Sequence, residues 1–318
     1  MPFVISFTKK LKARQTILHY VDNHACKSGT PTMGGIGFIF AIGIATLLAG
    51  IGTDNTLALV TVLAMVAFGI VGFLDDFIKV FFKQNKGLAA WQKFTFQAAI
   101  GLVIAFFAYY SDVVGGSLLI PFTLYRVPLG WFAIPFFVLI FLSFSNAVNL
   151  TDGLDGLASK LTLMYMIFNG ALIFVFAQSQ PHGQAFNEEF INLVIFSGAA
   201  IGGIMGFLCF NGYPAKIFMG DTGALALGGA VGALAVVSGL SLYSPIIGIM
   251  YVLTCLSVIM QVAYFKATKG KRIFLMSPLH HHYERKGYHE NQIVTAYTAI
   301  TAIAGSLVLL ITLVVVGA

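Results

Sequence analysis

Charge is what this sequence has least of. Only 9% of its 318 residues are Asp, Glu, Lys or Arg, while 58% are apolar and the mean hydropathy is +0.89. Soluble domains carry about 25% charged residues. A chain this poor in charge cannot clothe itself in a hydrated surface, so a soluble globular protein is excluded and lipid is its solvent. Cysteine is scarce too. Cys26, Cys209 and Cys255 show no metal spacing and no paired framework, and they read as small apolar packing residues. Residues 1–7 lack the basic, apolar and cleavage regions of a signal peptide. Sustained strand alternation is missing, which disfavours a β-barrel, and there is no internal repeat or low-complexity tract.

What is present is apolar, and it comes in runs of span length. A membrane helix needs about 20 apolar residues. Nine such runs are expected, at 33–51, 56–74, 92–110, 130–148, 158–177, 189–210, 222–240, 243–265 and 292–317. The 34 glycines and 30 phenylalanines suit packed membrane helices. The fold class is therefore an all-α polytopic bundle, one transmembrane helical domain over 1–318. Between spans three and four, 111–127 holds Gly115, Gly116 and Pro121 among β-prone residues and could form a hairpin.

Basic residues set the orientation. With the N-terminus inside, every lysine and arginine except Arg126 falls on the cytoplasmic side. Slipping the register by one span would destroy this partition. The expected protein sits in an inner membrane as a multi-pass chain with its chemistry facing the cytoplasm, its N-terminus inside and its C-terminus outside. The net charge of +6 lies beside the membrane, which points to anionic lipid heads and phosphorylated substrates rather than nucleic acid.

The inner loops hold the acids. Asp75 and Asp76 end the second run, Asp152 and Asp155 lie in Asn149-Leu150-Thr151-Asp152-Gly153-Leu154-Asp155, and Asp221 lies in Phe218-Met219-Gly220-Asp221-Thr222-Gly223. An ionised group at a span end is costly unless it is paired or functional. Adjacent carboxylates repel, so Asp75 and Asp76 need a cation: Lys79 one turn on, or a metal. Magnesium takes one or two carboxylates, keeps waters and adds phosphate oxygens. Solvated end caps are the bland alternative, and the clustering of several acids in Gly- and Asn-rich turns argues against it.

Three histidines, His280, His281 and His282, stand in a row after Pro278. Successive helical residues point about 100° apart, so they do not share one metal. They suit hydrogen bonding to phosphate or hydroxyl groups, with a solvated loop as the alternative. Before the first run, Lys27-Ser28-Gly29-Thr30-Pro31-Thr32-Met33-Gly34-Gly35 could offer backbone N–H groups to phosphate or could simply be a turn.

Together these loops, in this order between spans and on one side, resemble the MraY family of phospho-N-acetylmuramoyl-pentapeptide transferases, within the polyprenyl-phosphate N-acetylhexosamine-1-phosphate transferases. The resemblance runs from about Lys27 to the last span. It implies transfer of phospho-MurNAc-pentapeptide from UDP-MurNAc-pentapeptide to undecaprenyl phosphate, giving lipid I and UMP, with Mg2+ required and a homodimer as the assembly. It implies an active site built from loops near 75–91, 149–157, 211–221 and 266–291. Asp75, Asp76, Asp221 and His280 would be catalytic, with Asp221 the metal ligand. Lys27, Thr32, Lys79, Asn149, Asp152, Gly153, Leu154, Asp155, Asn211, Phe218, Gln261, His281 and His282 would contact substrate. The chain departs from the pattern twice: the family's usual first span is largely missing, and Ala224 stands where Ser is usual.

Two other readings compete. A sibling enzyme moving GlcNAc-1-phosphate shares the acidic motifs, but the compact His280–His282 loop favours the muramoyl donor. A secondary transporter would place acids at the midplane on broken, repeated helices, whereas these acids collect at cytoplasmic ends.

Overall fold

The structure is a computed structural model. It describes residues 1–10, 29–82, 84, 86–179 and 184–317. Lys27 and Lys83 lie outside the described residues.

Twelve α-helices are described: α1 (Pro2–Lys10), α2 (Gly35–Ala49), α3 (Thr56–Phe81), α4 (Ala90–Tyr110), α5 (Ala133–Thr151), α6 (Leu157–Ser179), α7 (Gln184–Asn211), α8 (Gly220–Val237), α9 (Ser244–Ile247), α10 (Ile249–Ala267), α11 (Leu279–Arg285) and α12 (Glu290–Gly317). Strands β1 (Ser117–Leu119) and β2 (Arg126–Pro128) pair antiparallel, with Leu118 opposite Val127, forming the hairpin expected between spans three and four. Eight of the helices are long and apolar enough to cross a membrane, and the chain is a multi-pass membrane protein. The run expected at 33–51 is the exception. It yields the 15-residue α2, about 22 Å long at 1.5 Å per residue and short of a hydrocarbon core of roughly 30 Å. Pro31, Gly34 and Gly35 are drawn into backbone pairing with Phe218 and Met219, so the helix starts only at Gly35, and Gly50 ends it. The run expected at 243–265 is broken at Gly248 into α9 and α10.

Burial follows composition. α8, almost entirely Gly, Ala, Val and Leu, is thin enough for neighbours to close around it, and every residue from Thr222 to Val237 is buried. It packs chiefly on α3 and α5. Small residues set such close approaches between membrane helices. At Gly72 of α3, a Cβ would collide with the backbone carbonyl of Asp221. The outer ring faces lipid instead: Val103 of α4, Ile259 of α10 and Val314 of α12 are exposed, a pattern that would aggregate in water.

Candidate functional site

Asp75 and Asp76 lie where α3 runs on past the apolar stretch, and both are buried. Being adjacent on a helix, they diverge, and they do different things. Asp76 turns to the start of α8. Its Oδ2 accepts the backbone N–H (2.9 Å) and hydroxyl (2.7 Å) of Thr222, and its Oδ1 accepts the N–H of Asp221 (3.2 Å). It thereby caps a helix N-terminus from another helix, meeting donors that no intrahelical carbonyl reaches. Thr32 is buried beside the same turn at Gly220.

Asp75 turns to the cations. Lys79 Nζ lies 2.5 Å from Asp75 Oδ2 and donates to Asp221 Oδ2 at 2.9 Å. Lys93 Nζ, from the first turn of α4, lies 3.0 Å from Asp75 Oδ1 and donates to Asp221 Oδ2 at 2.7 Å. Leu88 N donates to Asp75 Oδ1 at 2.7 Å, which fastens the segment between α3 and α4 over the acid. Asn149, at the end of α5, donates from Nδ2 to Asp221 Oδ1 at 2.9 Å. Oxygens of Asp75, Asp76 and Asp221 all lie within 4.8 Å of one another, a grouping that could hold a metal ion. The three differ in access: the Asp221 side chain is 19% exposed and that of Asp75 only 1%. Asp76 has committed both oxygens to α8. A small hard cation that takes one or two carboxylates and keeps waters fits this donor set best at Asp221. Three carboxylates against two ammonium groups leave one net negative charge for it to reverse.

Lys93 was not singled out from sequence, although a signal existed. It is the sole charged residue in the 21-residue apolar α4, and a charge inside a span is a functional candidate by default.

The remaining expected residues form a second layer at the same end of the bundle. His280 is buried. Its Nε2 occupies the space a Cβ on Gly153 would need, so only glycine at 153 admits the ring. Ala215 N donates to Asp155 Oδ2 at 2.9 Å, and Asp155 N donates to Glu290 Oε1. Leu154 is buried beneath them. These contacts join the 149–157, 211–221 and 266–291 segments. Asn211 accepts from Ser159 Oγ and donates to the Ile217 carbonyl, bracing the loop before α8. Phe218, half-buried, donates its N–H to Pro31 O, and its own carbonyl accepts Gly34 N–H; Gly35 N–H goes to Met219 O. The glycine N–H groups considered for phosphate are therefore used in holding two loops together. Gln261 accepts the N–H groups of Ile273 and Phe274 and donates to Phe274 O, shaping the loop before α11.

Of the three histidines of α11, His280 and His281 meet edge to face with ring centroids 4.3 Å apart, while His282 packs against Phe274. His281 Nδ1 lies 2.5 Å from Glu284 Oε2. His282 Nδ1 accepts Leu275 N–H at 3.1 Å. Desolvation, then the Lys286 charge, lowers the His282 pKa. Both causes favour the neutral ring, and accepting at Nδ1 places the proton of that neutral form on Nε2. Desolvation raises the Asp152 carboxyl well above the usual carboxylate range, and the negative charges of Asp221, Asp76 and Asp155 act in the same direction.

The site gathers two buried acids, a partly open third acid and two ammonium groups at the mouth of a lipid-facing bundle. Such a cluster can neutralise and align phosphate groups. Comparison with known proteins fits that chemistry. Residues 58–239 match the glycosyl transferase family 4 model. Proteins named phospho-N-acetylmuramoyl-pentapeptide-transferase are similar over nearly the whole chain. That of Clostridium novyi (strain NT) is 42% identical over 303 residues, covering 95% of this chain and 89% of its own. That of Clostridium kluyveri (strain NBRC 12016) is 43% identical, covering 95% and 91%. A Listeria welshimeri relative is 44% identical, covering 94% and 90%.

Proposed function

The chain belongs to glycosyl transferase family 4, among its phospho-N-acetylmuramoyl-pentapeptide transferases, and from that premise we propose that it transfers phospho-MurNAc-pentapeptide from UDP-MurNAc-pentapeptide to undecaprenyl phosphate. The products are UMP and lipid I. The observation that carries the reading is the convergence of Lys79, Lys93 and Asn149 on Asp221 beside Asp75. Phosphoryl exchange needs charge neutralised and groups aligned more than it needs covalent help from protein.

Each residue then has a task. Asp221 is the ligand for Mg2+, which when bound offsets the diphosphate charge. Lys79 and Lys93 face the phosphates. Asp75 orients those two ammonium groups, and its depth argues against attack on phosphorus. A phosphate monoester has a second pKa of about 6, so the lipid phosphate attacks the β-phosphorus without needing a protein base. Asp76 holds the start of α8 so that Asp221 faces the site. Phe218, Asn211, Gly153, Leu154 and Asp155 shape the uridine pocket. Thr32, Asp152, Gln261 and His280–His282 frame the donor, and Lys27 offsets phosphate charge. We further propose that 1–318 acts as one catalytic domain, that the chain works as a homodimer, and that the site faces the cytoplasm. Retention of the basic residues at the site's end of the bundle motivates the orientation.

The test is UMP release from UDP-MurNAc-pentapeptide by purified protein with undecaprenyl phosphate and Mg2+, with UDP-GlcNAc as a competing donor. Preference for UDP-GlcNAc would overturn the substrate assignment. For orientation, Lys271→Cys should be shielded from an impermeant thiol reagent in intact cells, and labelling there would reverse the proposed topology.

A further inference from the structure

We propose that Gln97 is a positioning residue for this transfer: with Asn146 it fixes the register of α4 against α5 at which Lys93 and Asn149 meet on Asp221. The proposal rests on the transferase reading. Gln97 lies four residues after Lys93 on α4 and so shares its face, about 10 Å along the helix from Ala90 at 1.5 Å per residue. Asn146 lies three residues before Asn149 on α5. Asn146 Nδ2 donates to Gln97 Oε1 at 2.8 Å and to Leu142 O at 2.8 Å. Both amide hydrogens of Asn146 are used, one within its own helix and one across to α4. The two helices are thus joined by two rungs. The outer rung is Lys93–Asp221–Asn149, and the inner rung is Gln97–Asn146.

The outer rung cannot set its own register, because Lys93 is long and flexible and Asp221 belongs to a third helix. Apolar surfaces between membrane helices resist sliding weakly, and interhelical hydrogen bonds between amides pin them. Gln97 carries a further mark. It is 1% exposed, yet its Nε2 meets no acceptor among the described residues. An unmet N–H in an apolar interior is costly. A tie serving stability alone is better made by apolar packing, so keeping a half-satisfied glutamine next to the site points to function.

A displacement of about 1 Å at a reacting centre can cost roughly a hundredfold in rate. The expected result for Gln97→Leu is a fall in kcat of about 10- to 100-fold, with KM for both substrates held within a factor of two. The melting temperature in detergent should change little. Because Gln97 acts through Lys93, a Gln97→Leu, Lys93→Ala double variant should be no slower than Lys93→Ala alone. Asn146→Leu should likewise fail to add to Gln97→Leu. Gln97→Met, which keeps the chain length, is measured beside them should the leucine variant fold poorly. Independent, multiplying losses in the double variants, a raised KM with unchanged kcat, or a wild-type rate for Gln97→Leu and Gln97→Met would each overturn the proposal. An inactive wild-type protein in the same assay would instead remove the transferase reading, and this proposal with it.

Discussion

Replacing Asp221 with Asn isolates the charge at the centre of the site. The side chain keeps its shape and one acceptor oxygen, so Asn149 can still donate to it. What disappears is the attraction to Lys79 at 2.9 Å and Lys93 at 2.7 Å, and with it the most accessible carboxylate for a metal. A hydrogen bond to a charged group contributes about 2 kcal/mol. Loss of two such contacts in the transition state amounts to about 4 kcal/mol, or roughly a thousandfold in kcat at 1.36 kcal/mol per decade. Folding should survive, because both lysines retain Asp75 at 2.5 and 3.0 Å and Asp76 still holds the α8 backbone. The assay is UMP release across a magnesium titration, paired with a melting curve in detergent. The expected outcome is a collapsed rate, a higher magnesium requirement and a nearly unchanged melting temperature. A near wild-type rate at low magnesium would refute the ligand assignment.

Three further outcomes follow from the same geometry. Asp75→Asn should lose activity without steep recovery between about pH 7 and 9, a window above the second phosphate pKa, since what is lost is the placement of Lys79 and Lys93; a steep rise in the pH–rate profile would restore a general-base role. Gly72→Ala drives a methyl group into the Asp221 backbone carbonyl, so it should cost about 1–3 kcal/mol and depress activity with it, while Gly202→Ala, which meets nothing within 4 Å, should leave the melting temperature and UMP release unchanged. Asp152 has a raised folded pKa, so its contribution to stability is present at low pH and is lost as pH rises through that value; Asp152→Asn should therefore melt progressively higher than wild type as pH increases, and a constant difference across pH would contradict the assigned cause.

The sequence is most legible where one physical rule decides. Eight spans could be read because twenty apolar residues in a row have few alternatives in a membrane protein. The hairpin of β1 and β2 could be read from its Gly115, Gly116 and Pro121 punctuation. Rules failed where packing decides. Nothing in Thr32-Met33-Gly34-Gly35 announced that its backbone would pair with Phe218 and Met219, and that pairing shortens the first apolar helix. Asp75 and Asp76 read as one acidic unit. Only the closeness of α3 to α8 at Gly72 separates them into a holder of cations and a cap. Asn211 and Gln261 read as substrate contacts, and each also braces a loop through backbone hydrogen bonds. Lys93 was visible as a lone charge in α4, but its partners became apparent only once α4 lay beside α3 and α8.

The site's position follows from a conflict between burial and charge. α8 is the most enclosed helix of the bundle, and its small residues let α3 and α5 close on it. An enclosed helix still has unpaired N–H groups at its first turn, and in a membrane these must be met by protein. Asp76 meets them. Its carboxylate is stabilised in turn by the positive end of the α8 dipole. That solution places an acid beside Asp75 and brings Asp221, in the first turn of α8, onto the same spot. The resulting excess of negative charge draws in Lys79 and Lys93. A cluster that begins as the capping of a buried helix therefore ends as a charged basin at the end of the bundle, with one negative charge in excess. Such a basin suits a divalent cation together with a phosphate-bearing lipid.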